Sequence, residues 1–434
     1  MTNENPDDKG CTTRRGFLKS SAGVLGGFPA FLGASSSPPS ASAQVASTAA
    51  AQSTKSIIGN YGTWASSLRP AVPTLSFRHE KWDSPDSWRK TPQEKARELL
   101  AAPEMGKPDA VVEKSYHYDG LTVEELSWQL PYGRRTHAIL LKPEGAKKPL
   151  PGILALHDHG GNKYFGTRKI TRTSADPHPL QTEHQKKYYS GMAWANEIAK
   201  RGHVVLVHDT FAFGSRRVHY GDVDGIPWGP LNVAGKSDEN PEDSANIAAY
   251  NTWASEHEHV MSKSLFCAGT TWPGVTLAED RAALDVLSAR PDVNPDKIGC
   301  GGLSGGGLRT VYLTGLDDRI KCAVCIGFMS TWDDFLLHKA YTHTWMIYAP
   351  LLPNFLEFPE ILGLRVPVPV MVLNNSQDQL FTPEEMRKAD TILREVYGKA
   401  GAPDRYRSSY HDGHHKFDLP MQEEAFGWFA EWLG

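Results

Sequence analysis

Cysteine is scarce in this chain, with five in 434 residues at positions 11, 267, 300, 322 and 325. That is too few, and too scattered, for a disulfide scaffold. Cys322 and Cys325 fall in one strand-like run, where residues three apart face opposite sides, which argues against a redox or zinc pair. Surplus positive charge is also missing: 46 basic against 50 acidic residues leave a formal net charge of −4. A phosphate backbone needs a broad cationic field, so nucleic acid is not an expected partner, and an acidic polymer is not favoured either. No internal repeat is present. What remains is 40% apolar and 22% charged, a globular composition that excludes a disordered or fibrous chain. At this length a sizeable core can be buried by one large or two ordinary domains.

The N-terminal residues are polar up to Thr13-Arg14-Arg15-Gly16-Phe17-Leu18-Lys19. A weakly apolar stretch over 20–33 follows, and then Ala41-Ser42-Ala43. This order resembles a twin-arginine export signal with a small-residue cleavage site, expected over 1–43. The apolar stretch is shorter than the ~20 residues of a membrane span and is interrupted by glycine and proline, so stable membrane insertion is not expected. The resemblance implies export in the folded state, to the periplasm or beyond.

Residues 44–110 read as a linker and an N-terminal extension with a helical pattern at 91–102. Strand-like runs follow at 122–130, 135–141, 152–157, 203–208, 297–303, 321–326, 368–373 and 405–410. Helical patterns lie at 188–201, 277–289, 305–314, 383–399 and 421–433. Two strands without a helix between them, then strand–helix alternation, imply an α/β domain over 111–434. Its expected sheet is twisted and mostly parallel, with antiparallel first strands and helices on both faces. The long stretch 211–274 interrupts the alternation after the fourth strand-like run and reads as a cap-like insertion leaving the C-terminal edge of the sheet, with a helix over 242–261.

Gly302-Leu303-Ser304-Gly305-Gly306 is a Gly-x-Ser-x-Gly between a strand and a helix. A serine at such a turn exposes its hydroxyl, and the helix N-terminus sets backbone N–H groups and a positive dipole end beside it. A dinucleotide-binding reading fails, because no acidic residue ends the next strand, and a phosphate-cradling loop lacks its Gly-Lys-Ser/Thr. A serine nucleophile needs a base, and the base needs an orienting carboxylate. Asp378, past the run at 368–373, suits the carboxylate. The segment His411-Asp412-Gly413-His414-His415-Lys416-Phe417 offers the base.

With these residues the chain resembles the α/β-hydrolase superfamily, in its dienelactone-hydrolase-like and acetyl-xylan-esterase-like branch, over roughly 115–434. The carriers are Gly302 to Gly306, the Asp378 loop, the Gly-His-His-Lys-Phe turn and Leu156-His157-Asp158-His159-Gly160-Gly161. The resemblance implies a Ser304, Asp378, His415 triad, with His414 and His411 open as alternative bases. It also implies an oxyanion hole from the backbone N–H of Gly305 and of His159 or Gly160. Dienelactone hydrolase proper has cysteine at the elbow. Ser304 moves the expectation toward ordinary ester cleavage, without a cofactor.

Asp209 and Asp280 are rivals for the acid, read instead as a hydrogen-bonding partner near the site and a helix N-terminal charge. His157, Trp228 and Trp345 are expected to touch substrate, and Trp253, Trp272 and Trp332 are further candidates for sugar or aryl contacts. Neither His157-Asp158-His159 nor His257-Glu258-His259 has metal-ligand spacing, and the second is read as a solvated or substrate-contacting loop. The expected activity is a secreted serine carboxylesterase on small-molecule or carbohydrate esters. An exo-type serine peptidase and a non-catalytic binding module on the same fold are the alternatives.

Overall fold

The computed structural model describes residues 56–434. The expected signal over 1–43 and the first part of the linker lie outside the described residues. In chain order the helices are α1 Tyr61–Ser67, α2 Pro85–Leu100, α3 Pro179–Tyr189, α4 Trp194–Lys200, α5 Ser244–Cys267, α6 Trp272–Ser288, α7 Gly305–Leu316, α8 Phe358–Leu362, α9 Pro383–Lys399 and α10 Leu419–Leu433. The strands are β1 Val111–Tyr118, β2 Leu121–Trp128, β3 Thr136–Pro143, β4 Leu150–Ala155, β5 Val204–His208, β6 Val293–Leu303, β7 Ile320–Ile326, β8 Val370–Asn375 and β9 Tyr406–His411.

They form one nine-stranded sheet in the order β1-β2-β3-β5-β4-β6-β7-β8-β9. β1, β2, β3 and β5 pair antiparallel in that order, and from β5 through β4, β6, β7, β8 and β9 every pairing is parallel. The central strands are apolar on both faces because helices cover both. One face, with α2, α6, α7, α8 and α9, buries Ile298, Cys300 and Cys325. The other, with α4 and α10, buries Cys322, Val324 and Trp428. Cys322 and Cys325 therefore sit on opposite faces.

Several elements differ from the sequence reading, the short helices α1 and α8 among them, which it did not place. β1 has no counterpart in it, because Val111–Tyr118 is an exposed edge strand with little apolar alternation. The pattern at 188–201 is two helices, parted where Ser190 and Gly191 both adopt positive φ. The segment 242–261 is the longer helix α5, begun by Asp243, whose carboxylate accepts from the N–H groups of Ala245 and Asn246. Its buried residues Ile247, Tyr250 and Trp253 pack with Tyr164 and Phe165 in a third apolar cluster. The insertion thus covers the loop after β4.

Candidate active site

Ser304 follows β6 directly and caps α7. Its backbone is held at φ 57° and ψ −117°, a conformation that non-glycine residues rarely adopt. Glycine is required beside it: a Cβ on Gly306 would stand 2.1 Å from the carbonyl oxygen of Leu156. One on Gly305 would stand 2.9 Å from the backbone nitrogen of His159. The turn after β6 and the loop after β4 therefore touch backbone to backbone.

Asp378 stands beyond the end of β8 and His415 beyond the end of β9. The Nδ1 of His415 lies 2.6 Å from Oδ2 of Asp378, and Oδ1 of that carboxylate accepts the N–H of Leu380 at 3.0 Å. With Nδ1–H donated to the carboxylate, Nε2 of His415 is left as an acceptor. It is buried and has no partner among the described residues. His414 is exposed and turns its Nδ1 to the carbonyl of Gln377 at 3.2 Å, while His411 pairs with Glu424 at 2.8 Å. Of the three histidines left open by the sequence, only His415 meets Asp378.

Ser304 and His415 line one cavity of about 190 Å³ together with His159, Gly160, Gly305, Phe328 and Met346. Its far wall is the segment 342–347, and no residue of the insertion lines it. No lysine or arginine lines it either. A larger apolar groove of about 950 Å³, walled by Trp332, Phe335, Tyr341, Trp345 and Tyr348, adjoins it through His343, which lines both. Burial brings the His343 imidazole down to about 4, against the carbonyl of Leu380.

Several candidates lie elsewhere. His157 is fully enclosed, edge-on to Phe213, and does not line the cavity. Burial, with Lys169 and Arg309 nearby, lowers its pKa well below the ordinary range. Trp228 is 71% exposed and stands on no wall shared with Ser304. Trp345 lines the neighbouring groove, with the Lys263 ammonium over its ring. Trp253 and Trp272 are core residues, and Trp332, though buried, lines the same neighbouring groove. Asp280 is in the middle of α6, not at its start, and forms a buried ion pair with Arg309 and a 3.1 Å contact to His208. Asp209 accepts the N–H groups of Thr167 and Ser215 and so shapes two loops.

His257-Glu258-His259 is not a solvated loop. Glu258 is buried on α5, and its Oε1 accepts from Nε2 of His159 at 2.6 Å and forms an ion pair with the Lys163 ammonium at 2.8 Å. Nδ1 of His159 in turn accepts the N–H of Gly161 at 3.1 Å, which fixes the tautomer. Burial alone would raise the Glu258 pKa, but Lys163 and His159 outweigh it and hold it at about 2. Ile247, Tyr250, Ala254 and Glu258 are all buried and follow one another at helical spacing. That stripe was the signal available in the sequence, since a carboxylate at the end of an apolar face needs a partner.

Asp158 is the second buried carboxylate here, held by Nε2 of His184 at 3.1 Å and by the hydroxyl of Tyr189. No group of three His, Cys, Asp or Glu side chains among the described residues is arranged to hold a metal ion. No described helix is long and apolar enough to cross a membrane.

With this geometry in view, solved structures give the frame. The chain superposes on "putative acetyl xylan esterase (BF1801)" from Bacteroides fragilis with a TM-score of 0.58 over 82% of each chain, at 19% identity. It superposes on a glucuronoyl esterase from Solibacter usitatus with a TM-score of 0.53, over 85% of this chain and all of the other, at 14% identity. This is the α/β-hydrolase fold. In sequence, the chain is 28% identical over 314 residues to "Putative hydrolase YtaP" of Bacillus subtilis (strain 168), covering 72% of this chain and 88% of that protein. No family model matches it. Within the hydrolase fold, Ser304 occupies the turn after the central strand, and Asp378 and His415 occupy loops at the same sheet edge.

Proposed function

We propose that the chain is a serine carboxylesterase acting on small acyl or alkyl esters, including esters on carbohydrates, and that it is exported by the twin-arginine route. The observation that carries this reading is the His415 ring, bonded to Asp378 on one side, with a buried and unpartnered Nε2 on the other, in the cavity that Ser304 lines. Nε2 takes the proton as the Ser304 hydroxyl adds to the ester carbonyl, and the Asp378 carboxylate steadies the imidazolium that results. Charge then develops on the former carbonyl oxygen, where the N–H groups of Gly305 and His159 would receive it. The imidazolium returns its proton to the departing alcohol, and a water molecule repeats the sequence on the acyl-enzyme.

A cavity of about 190 Å³ suits a small group beside Ser304. The absence of lysine and arginine from its lining favours a neutral ester over one carrying a carboxylate. The names of the structural neighbours, an acetyl xylan esterase and a glucuronoyl esterase, support sugar esters as the class to test first. Export rests on the order Thr13 to Lys19 and the Ala41-Ser42-Ala43 site.

The test is a panel of acetyl, longer acyl, aryl and methyl esters, with and without a sugar, against the wild type and Ser304→Ala. Activity that disappears in the variant supports the reading, and full activity in Ser304→Ala removes it. Failure of a fluorophosphonate probe to label Ser304 in the folded protein would instead favour a binding module.

A further inference from the structure

Lys169 is a fully enclosed lysine that the mechanism above does not use. It ends the short helical turn Thr167–Lys169, and its exposure is 0%. Its ammonium donates to the carbonyl oxygens of Asp158 at 2.6 Å and of His159 at 2.9 Å. The Asp158 carboxylate is 4.0 Å away, and the ring of Phe213 lies beneath it at 4.5 Å. A buried charge of this kind is costly unless it is well bonded. Burial, only partly offset by Asp158, lowers this lysine to about 7.

The carbonyl of Asp158 and the N–H of His159 belong to one peptide unit. In a trans peptide the two point in opposite directions. Anchoring the oxygen inward on the ammonium therefore directs the N–H outward. The nitrogen of His159 sits against Gly305, and its N–H donates to no backbone acceptor among the described residues. His157 adds a second contact to the same oxygen, with Nδ1 at 3.0 Å.

We propose that Lys169 is a positioning residue that locks the 158–159 peptide with its N–H facing Ser304, so that the second oxyanion donor is preformed. The inference rests on the esterase reading for its catalytic consequence, and on the peptide geometry alone for its structural one. A charged donor on the carbonyl also polarises the amide and makes its N–H a stronger donor. Without the ammonium, only the His157 Nδ1 contact holds that oxygen, and a peptide that rotates its carbonyl toward the cavity would repel the developing oxyanion.

Lys169→Met removes the donor at similar length, and Lys169→Gln keeps a neutral one. Crystal structures of both variants read the orientation of the 158–159 peptide. Single-turnover kinetics with p-nitrophenyl acetate read acylation separately from ester binding. The expected result for Lys169→Met is a rotated peptide and acylation slower by about 100-fold, the scale of losing one oxyanion donor. Ester affinity should change by less than about threefold, with partial recovery in Lys169→Gln. An unchanged peptide in Lys169→Met, with acylation within about twofold of wild type, overturns the proposal. If Lys169→Met does not fold, the donor-free Lys169→Leu takes its place, and if that fails too, acylation in Lys169→Gln equal to wild type overturns the part of the proposal that assigns the effect to a charged donor. If wild type neither turns over the ester nor labels with fluorophosphonate, the esterase reading has failed, while the orientation of the peptide still decides the role of Lys169.

Discussion

His415 and His414 are neighbours in the chain with unlike surroundings, and the difference should be measurable. Asp378→Asn keeps the shape but offers Nδ1 an amide, so the imidazole loses its fixed tautomer. Ester turnover is expected to fall by about 10³- to 10⁴-fold. His414→Ala removes an exposed ring bonded only to the Gln377 carbonyl, and steady-state kinetics should show turnover close to wild type. A His414→Ala variant as damaged as His415→Ala would contradict the assignment. The serine was legible in the sequence because its signal is local: two glycines and a helix start within a few residues. The choice among three histidines was legible only through the resemblance, which favoured His415, because the contact itself depends on where β8 delivers Asp378. Lys169, too, carries no local mark, since its partners are backbone carbonyls of another loop.

Helix α5 links the insertion to the loop after β4 through Glu258. A carboxylate held at about 2, below its ordinary 4.5, adds stability that is complete above about pH 4.5 and is lost as pH falls toward 2. The loss is on the order of 3 kcal/mol for a shift of this size. Thermal melts between pH 5 and 2 should therefore be steeper for the wild type than for Glu258→Gln, which has no proton to take up. Parallel slopes would show that Glu258 is not tied to Lys163 and His159 in solution. At this scale the parallel strands were legible as short continuous apolar runs, buried on both faces, separated by helical patterns. The edge strand β1 was missed because exposure removes the apolar alternation, and the Ser190-Gly191 break was missed because propensity on both sides favours a helix.

The whole molecule is held together without sulfur cross-links among the described residues. Cys300, Cys322 and Cys325 are buried as free thiols and Cys267 is exposed. Burial pushes the Cys300 thiol up to about 12, which leaves it inert as a nucleophile. The melting temperature should be the same with and without dithiothreitol, and Cys267→Ser should melt like wild type. A large fall on reduction would mean that a bridge forms in solution. The alternation of strands and helices in the parallel part of the sheet was visible in the sequence. What the sequence could not convey was the contact between α5 and the loop after β4, because those segments meet only after the sheet is assembled.

β9 lies at the rim of the sheet and bonds to β8 alone, and the loop bearing His415 leaves from its end. During synthesis the ribosome therefore delivers the hydroxyl more than a hundred residues before the imidazole that would activate it. Under the esterase reading, a nascent chain lacks its base until β9 and the loop beyond it have been made, so the two halves of the proposed proton-transfer pair are joined only after the last strand has docked on β8.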